Sequence, residues 1–332
     1  MFDFSSSPLL ALRTPSERRF RLLFDFVILW AIAILAPFLT ALIPGMFATF
    51  VLGSNAMLKI LNDAFAAGMS GGSGTIDSDA YLALNEQITS GTGYRIAELF
   101  GEAWTIALAV FVCLVIQRRS LATLGIEKRG AAKRYGVGFV FGVLLCSATV
   151  LTVCLSRAST FEGFDGGSGV LLPLFVLFGY LIQGAAEEIL FHGLFLTTLA
   201  RRFRWLPSVL LSALFFSLLH TFNAGASMLS LLNVFLFGVL LGLFTIRTGS
   251  VIGACALHAA WNATEGLVFG CSVSGFPAIS GLFRVTNDAS RGVTNGGAFG
   301  PEGGLAATMI LMLALIAVLF LPSFGRKRQE TP

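Results

Sequence analysis

Long apolar runs separated by short polar punctuation dominate this chain. A helix needs about 20 apolar residues to cross a bilayer. Runs of that kind recur at 22–44, 102–117, 136–156, 169–198, 207–222, 229–246, 251–270 and 305–322. Pro37 and Pro44 interrupt the first run, which predicts a kinked helix that runs on beyond residue 44. The expected fold is an all-α polytopic membrane protein with about eight transmembrane helices. Between the runs, "GMSGGSGTIDSDAY" and "DASRGVTNGGAFGPEGG" show no apolar periodicity. They predict mobile loops within 62–101 and 271–304. The stretch "YRIAELFGEAW" is amphipathic and is expected to lie on the outer membrane surface before the second span.

Composition agrees with the pattern. Hydrophobic residues make up 55% of the chain and charged residues 12%, with a mean hydropathy of +0.83. That is too little charge to cover a water-facing surface. The net charge of +4 is small and lies in short loops, so it speaks about orientation and not about nucleic acid. Basic clusters occur at Arg13, Arg18, Arg19 and Arg21, then at Arg118, Arg119, Lys128, Arg129, Lys133 and Arg134. Others follow at Arg201, Arg202 and Arg204, at Arg247, and at Arg326, Lys327 and Arg328. Eight spans put all of them on one face, whereas one span more or fewer scatters them. The positive-inside rule then places both termini in the cytoplasm. The basic start "MFDFSSSPLLALRTPSERRFRLL" leads into a run too long for a signal peptide, so it reads as an uncleaved first span. Cys113, Cys146, Cys154, Cys255 and Cys271 form no CxxC pair and read as small buried hydrophobes.

The spans are not apolar throughout. The fourth carries Tyr180, Gln183, Glu187, Glu188 and His192, the fifth His220, and the seventh His258, Asn262 and Glu265. All three histidines of the chain are among them. Such groups are costly in hydrocarbon and are expected to face a functional interior. Residues three, four and seven apart share a helix face. His258, Asn262 and Glu265 are thus expected on one stripe, and Gln183 and Glu187 on one side. Glu188 and His192, four apart, can touch. The adjacent glutamates diverge by about 100° around the helix. The division of labour expected from this has Glu187 facing a site and Glu188 held by His192; the opposite assignment stays open. Glu265 is expected near the outer face, solvating the helix end. At about 1.5 Å per residue, Glu187, His220 and His258 come to similar depths.

A carboxylate, two imidazoles and an amide at one level suit attack of water on a carbonyl. The carboxylate serves as general base. The imidazoles ligate a divalent metal or stabilise an oxyanion, and the amide donates to the same oxyanion. The chain has no HExxH and no GxSxG, which argues against the common zinc-protease helix and the nucleophile elbow.

The segments "EEILFHG", "FFSLLH" and "GSVIGACALHAAWN" resemble, in order, the three motifs of the CAAX prenyl endopeptidase and bacteriocin-processing family (CPBP, or Abi). These intramembrane proteases include the type II CAAX prenyl proteases and the lysostaphin-resistance-protein-like proteins. The family pattern is EExxxR, FxxxH and Hxxx(N/D/B). Glu187 and Glu188 match the first motif, Phe216 and His220 the second, and His258 and Asn262 the third. "LATLGI" at 121–126 also looks like the stretch before the family's core. One departure stands out: His192 occupies the motif's arginine position, and histidine is shorter and loses its charge at neutral pH.

The resemblance implies a conical or bundled core enclosing an intramembrane polar site, and an endopeptidase that processes CAAX-like substrates. Glu187 would activate water, His220 and His258 would bind metal or position the water, and Asn262 would stabilise the oxyanion. His192, Phe216 and Gln183 would support these groups. Zinc or another divalent metal on Glu187, His220 and His258 and a metal-free site are both open. The expected partners are a peptide or protein substrate, lipidated in the CAAX case, and the bilayer, with no nucleic acid. The expected location is the inner membrane of a bacterium.

The chain then divides into a cytoplasmic segment 1–21 and two helices with a long loop in 22–117. A protease-like core 118–270, a Gly-rich loop 271–304 and a last helix with a basic tail in 305–332 complete it. Two other classes fit part of the pattern. A weak or inactive family member acting as a scaffold or immunity protein fits the missing arginine. A proton-coupled transporter fits buried Glu and His, but it predicts inverted repeats that the halves do not show.

Overall fold

The computed structural model describes residues 54–70, 77–89, 91–166 and 169–320, with isolated positions between 7 and 42. Most of the first span and the basic tail 321–332 lie outside the described residues. The protein is mostly helical. Helices α1 (Ser54–Met69) and α2 (Ser78–Thr89) precede α3 (Thr92–Ile116) and α4 (Ala131–Leu155). Strand β1 (Ser159–Phe164) comes next, then α5 (Leu171–Ala200), α6 (Trp205–Phe222) and α7 (Met228–Thr248). Helix α8 (Ile252–Ala263) runs on as a π-helical turn, Thr264–Val268. Strand β2 (Phe283–Asn287) and α9 (Leu305–Phe320) complete the order.

Five of these helices, α3 to α7, are long and apolar enough to cross a membrane. The number expected from the apolar runs was eight. The described part of the first run is helical at 27–32. α8 falls short of a full crossing length, and α9 spans 16 residues. Five apolar helices of such length mark an integral membrane protein.

Helix α8 sits at the centre, and small residues let its neighbours close on it. Hydrocarbon supplies no hydrophobic drive between helices, so close backbone packing takes over. A Cβ on Gly138 of α4 would lie 2.0 Å from the Gly253 carbonyl oxygen, and one on Gly142 would lie 2.2 Å from that of Leu257. On α5, a Cβ on Gly184 would stand 2.7 Å from the Ala259 nitrogen. Every residue of α8 from Gly253 to Ala263 is buried. Gly142→Val is therefore expected to destabilise the detergent-solubilised protein by about 1–3 kcal/mol, through overpacking. The drop would be read as a lower thermal midpoint. Gly136→Ala is the control: a Cβ there meets nothing within 4 Å, and Ala suits a helix better than Gly, so the midpoint should not fall.

The bundle has two chemically distinct ends. At one, Arg119 ties the loop after α3 to α5 through Thr197 (2.6 Å) and Thr198 (3.0 Å), and Arg247 donates to the Leu319 carbonyl at 2.7 Å. At the other lie the Gly-rich segments, and here two expectations need correction. The described residues of 62–101 are largely helical, with the Gly-rich 71–76 outside the described residues, and α3 begins at Thr92, ten residues before the expected span. Its amphipathic first turns pack on α5 instead of lying on the membrane: Tyr94 and Leu99 are buried, and Leu99 fills the space over Gly179. Segment 271–304 is not a loose loop. β2 pairs antiparallel with β1, Asn223 donates to the Ser274 carbonyl at 2.8 Å, and Asn295 donates to the Ala158 carbonyl at 2.6 Å. Backbone and amide hydrogen bonds to distant partners order a stretch that has no periodicity of its own.

Candidate active site

Three elements bring the polar residues together. Helix α5 carries Gln183, Glu187, Glu188 and His192. From Ile189 to Phe195 it widens into a π-helical stretch, a feature that recurs at functional sites. The Phe191 carbonyl in this stretch accepts from Ser212 Oγ of α6 at 2.6 Å. His220 opens the last, 3₁₀ turn of α6. His258 and Asn262 lie on α8.

Glu188 is completely buried and joins two imidazoles. His192 Nδ1 lies 2.6 Å from its Oε2, and His258 Nδ1 lies 2.8 Å from its Oε1. A carboxylate oxygen accepts, so both Nδ1 atoms carry the proton and each ring leaves Nε2 free for another role. His192 Nε2 is buried and has no hydrogen-bond partner among the described residues. The Glu188–His192 pair is the contact that the four-residue spacing predicts. The His258 bond joins residues 70 apart in sequence, and no periodicity announces it.

Glu187 points elsewhere. Its side chain is 17% exposed, and its Oε2 stands 4.0 Å from His220 Nε2. His220 Nδ1 donates to the Phe216 carbonyl at 2.9 Å, which turns Nε2 toward Glu187. The Phe216 ring packs against His220 and His258 with centroids 4.8 and 5.9 Å away. It fixes both imidazoles by shape.

Asn262 Nδ2 donates to Gln183 Oε1 at 3.3 Å, one turn before Glu187 on α5. Of the stripe expected from His258, Asn262 and Glu265, His258 and Asn262 both meet α5, through Glu188 and Gln183, while Glu265 meets Trp261 and Glu302. The helix changes to π geometry at Thr264, which rotates the later residues off the α-helical register. Glu265 is not a solvated helix end. It is fully buried, accepts from Trp261 Nε1 at 3.1 Å, and takes the backbone N–H of Glu302 at 3.2 Å. Gly300 makes this approach possible: its φ is +114°, and a Cβ there would lie 3.4 Å from Glu265 Oε1 and 2.2 Å from the Ser272 carbonyl.

Sequence reading passed over three groups near the site. Glu102 of α3 accepts from Thr105 Oγ1 at 2.9 Å and lies within electrostatic reach of Glu187. A lone acid just inside an apolar run was its signal. Ser274 and Glu302 come from the Gly-rich segment and left no such signal. Together with Phe216, His220, His258 and Trp261 they wall a cavity of about 20 Å³, room for one water-sized group. The cysteines are free thiols, four of them buried. Burial and the nearby Glu265 carboxylate push the Cys271 thiol up, away from reactive thiolate.

The expected metal set was Glu187, His220 and His258. Among the described residues no three His, Cys, Asp or Glu side chains are grouped to hold a metal ion. The 4.0 Å between His220 and Glu187 exceeds the roughly 3.3 Å between donors on one tetrahedral zinc. As placed, these residues do not fit a divalent ion.

Residues 169–264 match the family model described as type II CAAX prenyl endopeptidase Rce1-like, a protease family. The match contains all three motifs and stops just before Glu265. No curated protein and no solved structure matches the chain. The Rce1-like match at residues 169–264 supports membership of the CPBP family.

Proposed function

We propose that this protein is an intramembrane endopeptidase in which Glu187 activates a water molecule against a peptide bond. One observation carries the reading: the two adjacent glutamates have separate surroundings. Glu188 is sealed in and spends both oxygens on His192 and His258. Glu187 is partly open and faces His220 across 4.0 Å, a gap that one water bridges. A general base needs access to water, and a positioning carboxylate needs burial and fixed partners.

In the proposed step Glu187 takes one proton from water as its oxygen bonds to the carbonyl carbon. His220 and His258 present Nε2 atoms toward the reacting group. Asn262 supplies an amide donor for the oxyanion, its first hydrogen bond held by Gln183. Glu187 returns its proton to the amide nitrogen and the C–N bond breaks. No step is routed through a metal. The substrate we propose is a C-terminal peptide of the CAAX kind, carrying a lipid that partitions into the bilayer. We further propose a bacterial inner membrane, with the basic end of the bundle facing the cytoplasm.

His192 stands where the motif has arginine, which favours the scaffold reading. The 2.6 Å contact speaks for the enzyme reading, because Glu188 still has its partner. The test is cleavage of a farnesylated CAAX peptide by the purified protein in heavy-oxygen water. One labelled oxygen in the new carboxyl of the first product is the expected result. No cleavage, or an acyl-enzyme trapped on the protein, would refute direct attack by water.

A further inference from the structure

We infer that the β1–β2 ribbon lays a phenylalanine face into the lipid beside the bundle and so rests on the bilayer that its own helices cross. β1 lies in the connection between two membrane-crossing helices. It starts four residues after α4 ends at Leu155, and α5 begins at Leu171, soon after β1 ends at Phe164. Its partner β2 belongs to the segment that carries Ser274 and Glu302 to the site cavity.

The pairing register sorts the side chains onto two faces. Ser159 pairs with Asn287, Phe161 with Val285, and Phe164 with Phe283. In a regular strand, residues three apart point to opposite faces. Here Glu162 is an extra, unpaired residue, a bulge that brings Phe161 and Phe164 onto one side. Gly163 takes the φ of +105° that this bulge requires. The rings agree with the register: Phe283 lies 5.3 Å from Phe161 and 6.2 Å from Phe164, centroid to centroid. The opposite face carries Thr160, Arg284 and Thr286, all exposed, and Arg284 pairs with Asp165 at 2.9 Å.

The aromatic face has a direction. At its inner end Ser159 and Val285 are buried, Val285 in the same core cluster as the helices. The face therefore looks onto the bundle. Past the bundle's edge it continues as phenyl rings, with Phe161 50% and Phe164 72% exposed. Lipid lies beyond that edge: the nearest turns of α4 and α5 expose Leu151, Leu155, Leu171 and Phe175. An apolar aromatic face backed by a charged one is the pattern of elements that lie in the headgroup–acyl boundary. The occupant is phospholipid of the same bilayer.

The experiment places a tryptophan on each face of the whole chain, held in nanodiscs so that both sides of the bilayer meet water. Phe164→Trp reports the aromatic face and Thr286→Trp the polar one. Each is read as the emission added to that of the wild type, whose four tryptophans are common to all samples. Phosphatidylcholine brominated near the headgroup end of its chains is the quencher in lipid, and acrylamide is the quencher in water. Phe164→Trp is expected to lose most of its added emission to the brominated lipid and little to acrylamide. Thr286→Trp should do the reverse. If Phe164→Trp does not fold, Phe161→Trp on the same face is read in the same way. Equal quenching of the two faces by either agent removes the distinction between them and overturns the inference. Protection of the aromatic face from both quenchers puts protein over the rings, such as a second copy of the chain, and overturns it as well. Neither outcome touches the peptidase reading.

Discussion

Glu187→Gln is expected to lower kcat/KM for a lipidated CAAX peptide by about a hundredfold to ten-thousandfold, the range of general base catalysis. The protein should remain folded. The exchange is isosteric, the side chain is partly exposed, and the His220 imidazole it faces is 4.0 Å away, beyond hydrogen-bond reach. Little structure depends on the charge. Steady-state cleavage and thermal unfolding, measured on the same preparation, check both halves. Full activity in this variant would remove Glu187 as the base. If Glu188→Gln were then inactive yet equally stable, the two glutamates would exchange roles.

Glu188→Ala should act in the opposite way, through the fold first. It strips the acceptor from two buried imidazole N–H groups, on His192 and His258. Both rings are within a few per cent of complete burial, so water cannot replace the lost bonds. Removing one partner of a buried charged pair costs about 3–5 kcal/mol. The expected outcome is a large fall in thermal midpoint together with loss of cleavage, since His258 loses its orientation. Glu188→Gln should be milder, because its amide oxygen keeps one imidazole while its NH₂ opposes the other. An unshifted midpoint in Glu188→Ala would show that the three-residue link is not structural.

The two variants thus separate chemistry from scaffolding at adjacent positions. The Gly142 variant tests whether α8 is held by close backbone packing.

Much of the helical plan was legible in the apolar runs. Runs at 136–156, 169–198, 207–222 and 229–246 correspond to α4, α5, α6 and α7 within a few residues. Twenty apolar residues have few alternatives to a helix in lipid, so composition is enough there. The start of α3 was missed because its first turns carry Arg95 and Glu98, which pair with each other at 2.7 Å and so tolerate burial. Segment 271–304 was missed because its order comes from partners more than a hundred residues away, such as β1 and Ala158.

Within the site, the sequence by itself determined the residue types, their order and their relations along a single helix. Glu188 with His192, and Gln183 on the side of Glu187, follow from a rise and a turn that every α-helix shares. Only the tertiary structure decided which atoms meet across helices. It put His258 on Glu188, Asn262 on Gln183, and Glu302 beside Trp261 and the histidines. It also buried Glu265, which one-dimensional periodicity had left at a wet helix end. Local geometry is set by the backbone and can be read from spacing. The partner of a buried polar group is whichever distant donor or acceptor the packing brings within bonding distance, and no local pattern encodes that.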